Sequence, residues 1–281
     1  MARSYDHHVI LGAGGAISRA LVPELLRNRQ QVTLVSRSGR PVEGARSIAA
    51  DILDDDALEE AVPEGSAVYL LVGLPYRAVV WEEAWPQIMR KVIRVCSEKR
   101  AEIVETLDRE VSAGSLSAIV ARSADFYGPG AERNGIMNLL IIEKLLAGKA
   151  AQWVADADVP HSVTYTTDCG RAVPLLVADE TSYNQVWHMP TASPPITMRR
   201  FTEIAAREIG AKPKLSVLSP WMLRLAGIFD RTVRELPEML YQNDRDYIFD
   251  SSKLTERYAF APTSYEQGIA ETVAYYRSLG G

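Results

Sequence analysis

The feature that most constrains this chain is a glycine cluster set between a short apolar run and an amphipathic segment. His8-Val9-Ile10-Leu11 is strand-like, Gly12-Ala13-Gly14-Gly15 follows, and Ala16 to Arg27 then places Ile17, Ala20, Leu21 and Leu25 at helical spacing. A strand that ends in glycines and turns directly into a helix opens a βαβ unit. The first glycine permits a tight turn, and the next ones let backbone approach a ligand closely. The helix N-terminus beyond supplies N–H donors and a partial positive charge. Gly12, Gly14, Gly15, Ala16 and Ile17 are therefore expected to hold a pyrophosphate. Ser18 stands at the third glycine position of this fingerprint, small enough to keep helix and strand close.

The rest of the first half repeats the alternation. Gln31 to Ser36 is β-branched and strand-like, Ser47 to Ala50 reads as a third strand, and a helix follows near Asp55 to Ala61. Ala67 to Val72 is almost wholly apolar, as a strand covered on both faces should be. Ala118 to Arg122, a helix at Met137 to Leu146, and a strand at Val163 to Tyr165 follow. Such alternation implies an α/β fold, a Rossmann-type doubly wound parallel sheet. The C-terminal third reads as mainly helical: Met198 to Ile209, Trp221 to Phe229, Val233 to Tyr241 and Tyr265 to Leu279. The expected division is residues 1–160 as a Rossmann dinucleotide-binding domain. Residues 161–281 would complete the sheet edge and form a smaller substrate annex.

Composition removes other classes. Hydrophobic residues make up 47% and charged residues 24%, an ordinary globular balance. A net charge of −5 gives no basic footprint for nucleic acid. No apolar run reaches the roughly 20 residues that span a bilayer, so no membrane association is expected. Cys96 and Cys169 build no disulfide framework, which points to a reducing, cytoplasmic setting. The run from Met1 to His8 straight into a strand-like segment leads us to expect no signal peptide, and no helical pair of histidines or CxxC suggests a metal site.

The second strand ends in Val35-Ser36-Arg37-Ser38-Gly39. An acidic residue here would take the ribose hydroxyls of NAD, and none is present. Arg37 suits a 2′-phosphate, with Ser36 and Ser38 as further donors, so the expected cofactor is NADP, with NAD as the alternative. Asp51 closes the third strand, either to accept from an adenine amino group or to cap the next turn.

Together, Gly12-x-Gly14-Gly15-x-x-Ser18, Arg37, Asp51-Ile52 and Arg122-Ser-Ala-Asp-Phe-Tyr-Gly-Pro-Gly130 resemble the NAD(P)-dependent epimerase/dehydratase branch of the short-chain dehydrogenase/reductase superfamily, of extended or atypical type. The resemblance covers nearly the whole chain. It implies cofactor roles for Asp51, Ile52, Val72, Gly73 and Phe126. It also implies a substrate pocket bordered by Tyr76, Trp81 and Tyr127, and a small carbonyl, alcohol or sugar-like substrate. Asp168, before an apolar helix, is expected to be an N-cap, and His161 a loop histidine.

One departure concerns the chemistry. The resemblance implies a tyrosine acid/base with a lysine four residues on, whose charge favours the ionised phenol. None of the twelve tyrosines has lysine at that spacing. Pro86 to Ser112 reads as one uninterrupted helix of about 40 Å, long for a sheet crossover. The expectation is that a segment carrying a fifth strand and the acid/base belongs near the Cys96–Ser97 junction, with the chain broken within several residues of it. On that footing the function is NADP-dependent oxidoreduction, epimerisation or dehydration by hydride transfer. The alternative is a non-catalytic NADP-binding sensor or scaffold. The sequence does not specify the catalytic residue or the oligomeric state.

Overall fold

The computed structural model describes residues 4–74, 77–99, 102–104, 117–132, 135–218 and 243–279. Two compact units emerge, one formed by Met1–Arg122 with Cys169–Met189, the other by Ser123–Asp168 with Pro190–Gly281. The units do not divide at residue 160 as expected. The chain leaves the first unit after Arg122 and returns to it at Cys169 to lay down one more strand.

The first unit is built on a seven-stranded sheet. Its strands are β1 (His7–Leu11), β2 (Gln31–Ser36), β3 (Arg46–Ala49), β4 (Ala67–Leu70), β5 (Glu102–Val104), β6 (Ala118–Arg122) and β10 (Gln185–His188), in the order β10-β6-β5-β4-β1-β2-β3. Every neighbouring pair is parallel. The winding reverses between β1 and β4, which lie side by side with His8 opposite Ala67 and Leu11 opposite Leu70. In a doubly wound sheet this reversal opens a crevice at the carboxyl ends of the two strands. The α/β Rossmann-type fold read from the sequence is the fold observed.

Helices α1 (Ala16–Arg27), α2 (Asp55–Ala61) and α3 (Ala78–Glu98) connect these strands. Alternation along β1 sends Val9 and Leu11 to one face, where they join Leu58 and Ala61 of α2 and Ile88, Val92 and Val95 of α3 in one core. On that side Arg94 bonds Asp55 and Glu59 at 2.8 and 2.9 Å, so charge pairs rim the α2–α3 contact.

Helix α3 overturns the expected break. It runs unbroken through Cys96 and Ser97 to Glu98, and the N–H of Lys99 still donates to Val95 O at 3.0 Å. Its 21 residues span about 31 Å. The helix stops there because the next residues form β5, inside the span that the sequence pattern reads as continuous helix. The fifth strand is therefore present, after Cys96 and Ser97. The connection from β5 to β6, residues 105–117, holds neither tyrosine nor lysine. Its length is close to the dozen or so residues a parallel crossover requires.

The second unit contains β7 (Asp125–Tyr127) paired in parallel with β9 (Val163–Tyr165), and β8 (Ala151–Val154) paired in parallel with β11 (Leu215–Leu218). A π-helical turn at Asn138–Ile142 continues into α4 (Glu143–Leu146). Helix α5 (Thr166–Ala178) starts in this unit and continues in the first. Helices α6 (Met198–Ile209), α7 (Ser252–Arg257) and α8 (Tyr265–Leu279) complete it. Thr197 caps α6 by accepting from Arg200 N–H, and Gly210 ends it in a left-handed turn at φ 79°. Phe201, Ile204 and Ala205 of α6 and Ile269 and Val273 of α8 share a core with Trp153 and Tyr127. The helices expected at Trp221 to Phe229 and Val233 to Tyr241 lie outside the described residues.

Candidate functional site

The glycine turn sits where β1 ends, at the reversal of the sheet. Gly12 has φ 91°, and a Cβ there would stand 2.7 Å from Val72 N and 2.8 Å from Leu71 C. The turn is therefore pressed backbone to backbone against the end of β4. On its other side Gly12 and Ala13 donate to Val35 O at 2.9 and 3.0 Å, so both flanking strands hold it. Gly14, at φ 98°, and Gly15 differ: no heavy atom lies within 4 Å of where their Cβ atoms would be. Their outer side is open.

Four N–H groups begin this helix region, and one is already used. Gly14 N–H donates to Ser18 Oγ at 3.1 Å, while Gly14 O accepts from Arg19 Nε at 3.1 Å. The N–H groups of Gly15, Ala16 and Ile17 have no acceptor among the described residues, as the first turn of a helix leaves them. An open glycine face, three unclaimed N–H donors and a helix dipole make an anion cradle.

The loop after β2 adds charge. Ser36 O accepts from Gly39 and Ala50 N–H at 3.2 and 3.0 Å, and Ser36 Oγ also takes the Gly39 N–H at 3.2 Å. Gly39, at φ 55°, has Ala49 Cβ only 2.5 Å from where its own Cβ would be, so the loop folds tightly onto β3. This turns Arg37, Ser38 and Arg40 outward, all exposed. Neither arginine has an ion-pair partner among the described residues. Sequence reasoning singled out Arg37 and missed Arg40, three residues on.

Asp51 uses Oδ1 to accept from Leu53 N–H at 2.9 Å, the turn-capping alternative of the two expected for it. Ile52, Val72 and Gly73 are partly or fully exposed beside the strand ends. Trp81 lies on α3, 36% exposed, its ring 5.2 Å from that of Trp85. Tyr76 lies outside the described residues.

In the second unit the segment Asp125–Gly130 is firmly held. Asn138, fully buried, accepts from Gly128 N–H at 3.2 Å and donates to Gly128 O at 2.9 Å. Phe126 is half-buried on β7. Tyr127 corrects the pocket reading. It is 1% exposed, with its ring 5.3 Å from Tyr165 and 5.2 Å from Phe201. Burial pushes its hydroxyl pKa well above the usual phenol range. Tyr127 is a core side chain of this unit. Asp168 is likewise not an N-cap: it lies in the first turn of α5 and accepts from Thr263 N–H and Oγ1 at 2.7 and 2.8 Å. His161 is 1% exposed and meets Asp125 Oδ2 through Nε2 at 3.0 Å. Expected as a loop histidine beside Pro160, His161 instead makes isolated β-bridges to Ile196 and Tyr247.

Among the described residues no group of three or more His, Cys, Asp or Glu side chains converges on a metal position. Nor is any helix among them long and apolar enough to cross a membrane.

No protein-family model and no curated protein matches the sequence. Solved structures do match in fold. The UDP-glucose 4-epimerase of Thermotoga maritima, solved with UDP-glucose, aligns over 98% of this chain and 100% of its own, with TM-score 0.75 and 18% identity. The Thermus thermophilus UDP-glucose 4-epimerase, solved with NAD, aligns over 96% and 99%, with TM-score 0.72 and 16% identity. A double mutant of the dTDP-glucose 4,6-dehydratase of Streptomyces venezuelae, also with NAD, aligns over 96% of each chain, with TM-score 0.70 and 18% identity. At such identities the likeness establishes the shared fold.

Proposed function

We propose that this chain binds a nicotinamide dinucleotide, NADP in preference to NAD, and acts as an oxidoreductase, epimerase or dehydratase on a sugar-like substrate. The observation that carries the reading is the turn itself: an open glycine face above the unclaimed N–H groups of Gly15, Ala16 and Ile17. These groups suit a pyrophosphate, and Arg37, Arg40, Ser36 and Ser38 suit a 2′-phosphate. Asp51, Ile52, Val72, Gly73 and Phe126 stay within the proposed cofactor contacts, and Trp81 and Tyr76 within the proposed substrate contacts. When bound, the nicotinamide supplies the hydride donor or acceptor. The chain's own part is to bind and orient it. The fold neighbours were solved with UDP-glucose and with NAD, and a nucleotide sugar is the substrate class we carry over.

A second reading, a dinucleotide-binding sensor without turnover, is favoured by the missing Tyr-x-x-x-Lys and by the unbroken helix at Cys96–Ser97. One experiment separates the two. The protein is titrated with NADPH and NADH by calorimetry, then incubated with NADP⁺ and UDP-glucose while nicotinamide absorbance and product sugars are followed. NADPH should bind roughly 10- to 100-fold more tightly than NADH, as a charge-assisted contact of about 1.5–3 kcal/mol implies. Arg37→Asp should reverse the order. Equal affinities overturn the NADP assignment, and tight binding without conversion of any nucleotide sugar tried supports the sensor.

A further inference from the structure

Ser18 stands where the fingerprint places its third glycine, and its hydroxyl does more than fit. Gly14 and Gly15 are adjacent glycines with nothing packed on their outer side. Such a pair samples many conformations, and ordering it on binding costs free energy. Two side chains from α1 remove that freedom. Ser18, 3% exposed, accepts the Gly14 N–H, and Arg19 donates through Nε to the Gly14 carbonyl, each at 3.1 Å. The N–H and C=O of one residue are thus held by consecutive residues of a helix.

We propose that Ser18 and Arg19 are positioning residues that clamp Gly14 and preform the turn for a dinucleotide pyrophosphate. This rests on the function proposed above. The clamp withdraws Gly14 N–H from the ligand and leaves Gly15, Ala16 and Ile17 as the donors. It also sets the charge of Arg19 beside them. A consequence runs against the fingerprint: installing the third glycine at position 18 weakens binding.

The test compares the full-length protein with Ser18→Ala, Ser18→Gly and Arg19→Gln. Amide exchange at Gly14 is followed without ligand, NADPH affinity is measured at several salt concentrations, and urea midpoints monitor folding. Ser18→Ala and Ser18→Gly should each speed Gly14 exchange. Both should weaken NADPH binding roughly five- to tenfold, equivalent to about 1–1.4 kcal/mol. Arg19→Gln should weaken binding and also flatten its salt dependence, which Ser18→Ala leaves unchanged. A merely structural role would move the urea midpoint and leave affinity alone. Ser18→Gly binding NADPH as tightly as the parent, or unchanged Gly14 exchange in Ser18→Ala, overturns the clamp. If the parent protein binds neither NADPH nor NADH, the proposed function falls, and Gly14 exchange alone then upholds or overturns the clamp.

Discussion

Gly12 and Gly14 both have positive φ, yet substitution should cost different things at each. At Gly12 a Cβ meets the backbone of Leu71 and Val72, which cannot move without disturbing the sheet. Gly12→Ala is expected to destabilise the sheet unit by about 3 kcal/mol or more, read from urea unfolding. At Gly14 the space is open, so Gly14→Ala should cost only the left-handed backbone, about 1–2 kcal/mol, while dinucleotide binding is lost. A matching loss of stability in the two variants would contradict this. The same scale explains which candidate site residues were legible. Arg37 announced itself by charge and by its place after a strand. Tyr127 misled, because its neighbours in sequence resemble a substrate loop, whereas alternation along β7 puts Phe126 and Tyr127 on opposite faces and Tyr127 inward. The bonds of Ser18 and Arg19 to Gly14 depend on side-chain torsions, which spacing alone does not encode.

Elements with a strong pattern and clear punctuation were read to the residue: β2, β6, α6 and α8 have the expected bounds. Those that failed are short or lack punctuation. Strand β5 is three residues, Glu-Ile-Val, following a charged helix end without glycine or proline, so its helical-looking spacing won. Strand pairing, a long-range choice, decided it. In the second unit, Gly268 of α8 lies against the Tyr127 hydroxyl, only 2.4 Å from where a Cβ would stand. Gly268→Ala should therefore destabilise that unit by about 1–3 kcal/mol through overpacking. Adding Tyr127→Phe removes the clashing oxygen and should recover part of the loss in the double variant. An additive double mutant would show that the two positions do not press on each other.

At the scale of the whole molecule, pH acts on the sheet unit through His8. His8 is 6% exposed, stacked on Tyr69 and bonded to its hydroxyl through Nδ1 at 2.7 Å. Burial holds its pKa below the ordinary histidine value of 6.5. The unfolded chain thus binds a proton that the folded one resists, and stability present above about pH 6.5 is lost as pH falls. The urea midpoint should drop between pH 7.5 and 5.5, and His8→Gln should flatten that dependence. A parent midpoint that does not fall over this window would contradict the account. The salt-bridged Asp55, whose pKa is lowered by Lys91 and Arg94, titrates well below this window. The three passages of the chain between units, after Arg122, Asp168 and Met189, also govern how the protein is made. On the ribosome, β6 emerges with its outer edge bare, and the strand that covers it, β10, is synthesised only after Ser123–Asp168. A nascent chain stalled near residue 160 would carry an open parallel edge, which is a template for association. Such truncated chains should pellet where the complete one stays in solution, so the returning strand works as a late-arriving safeguard during translation.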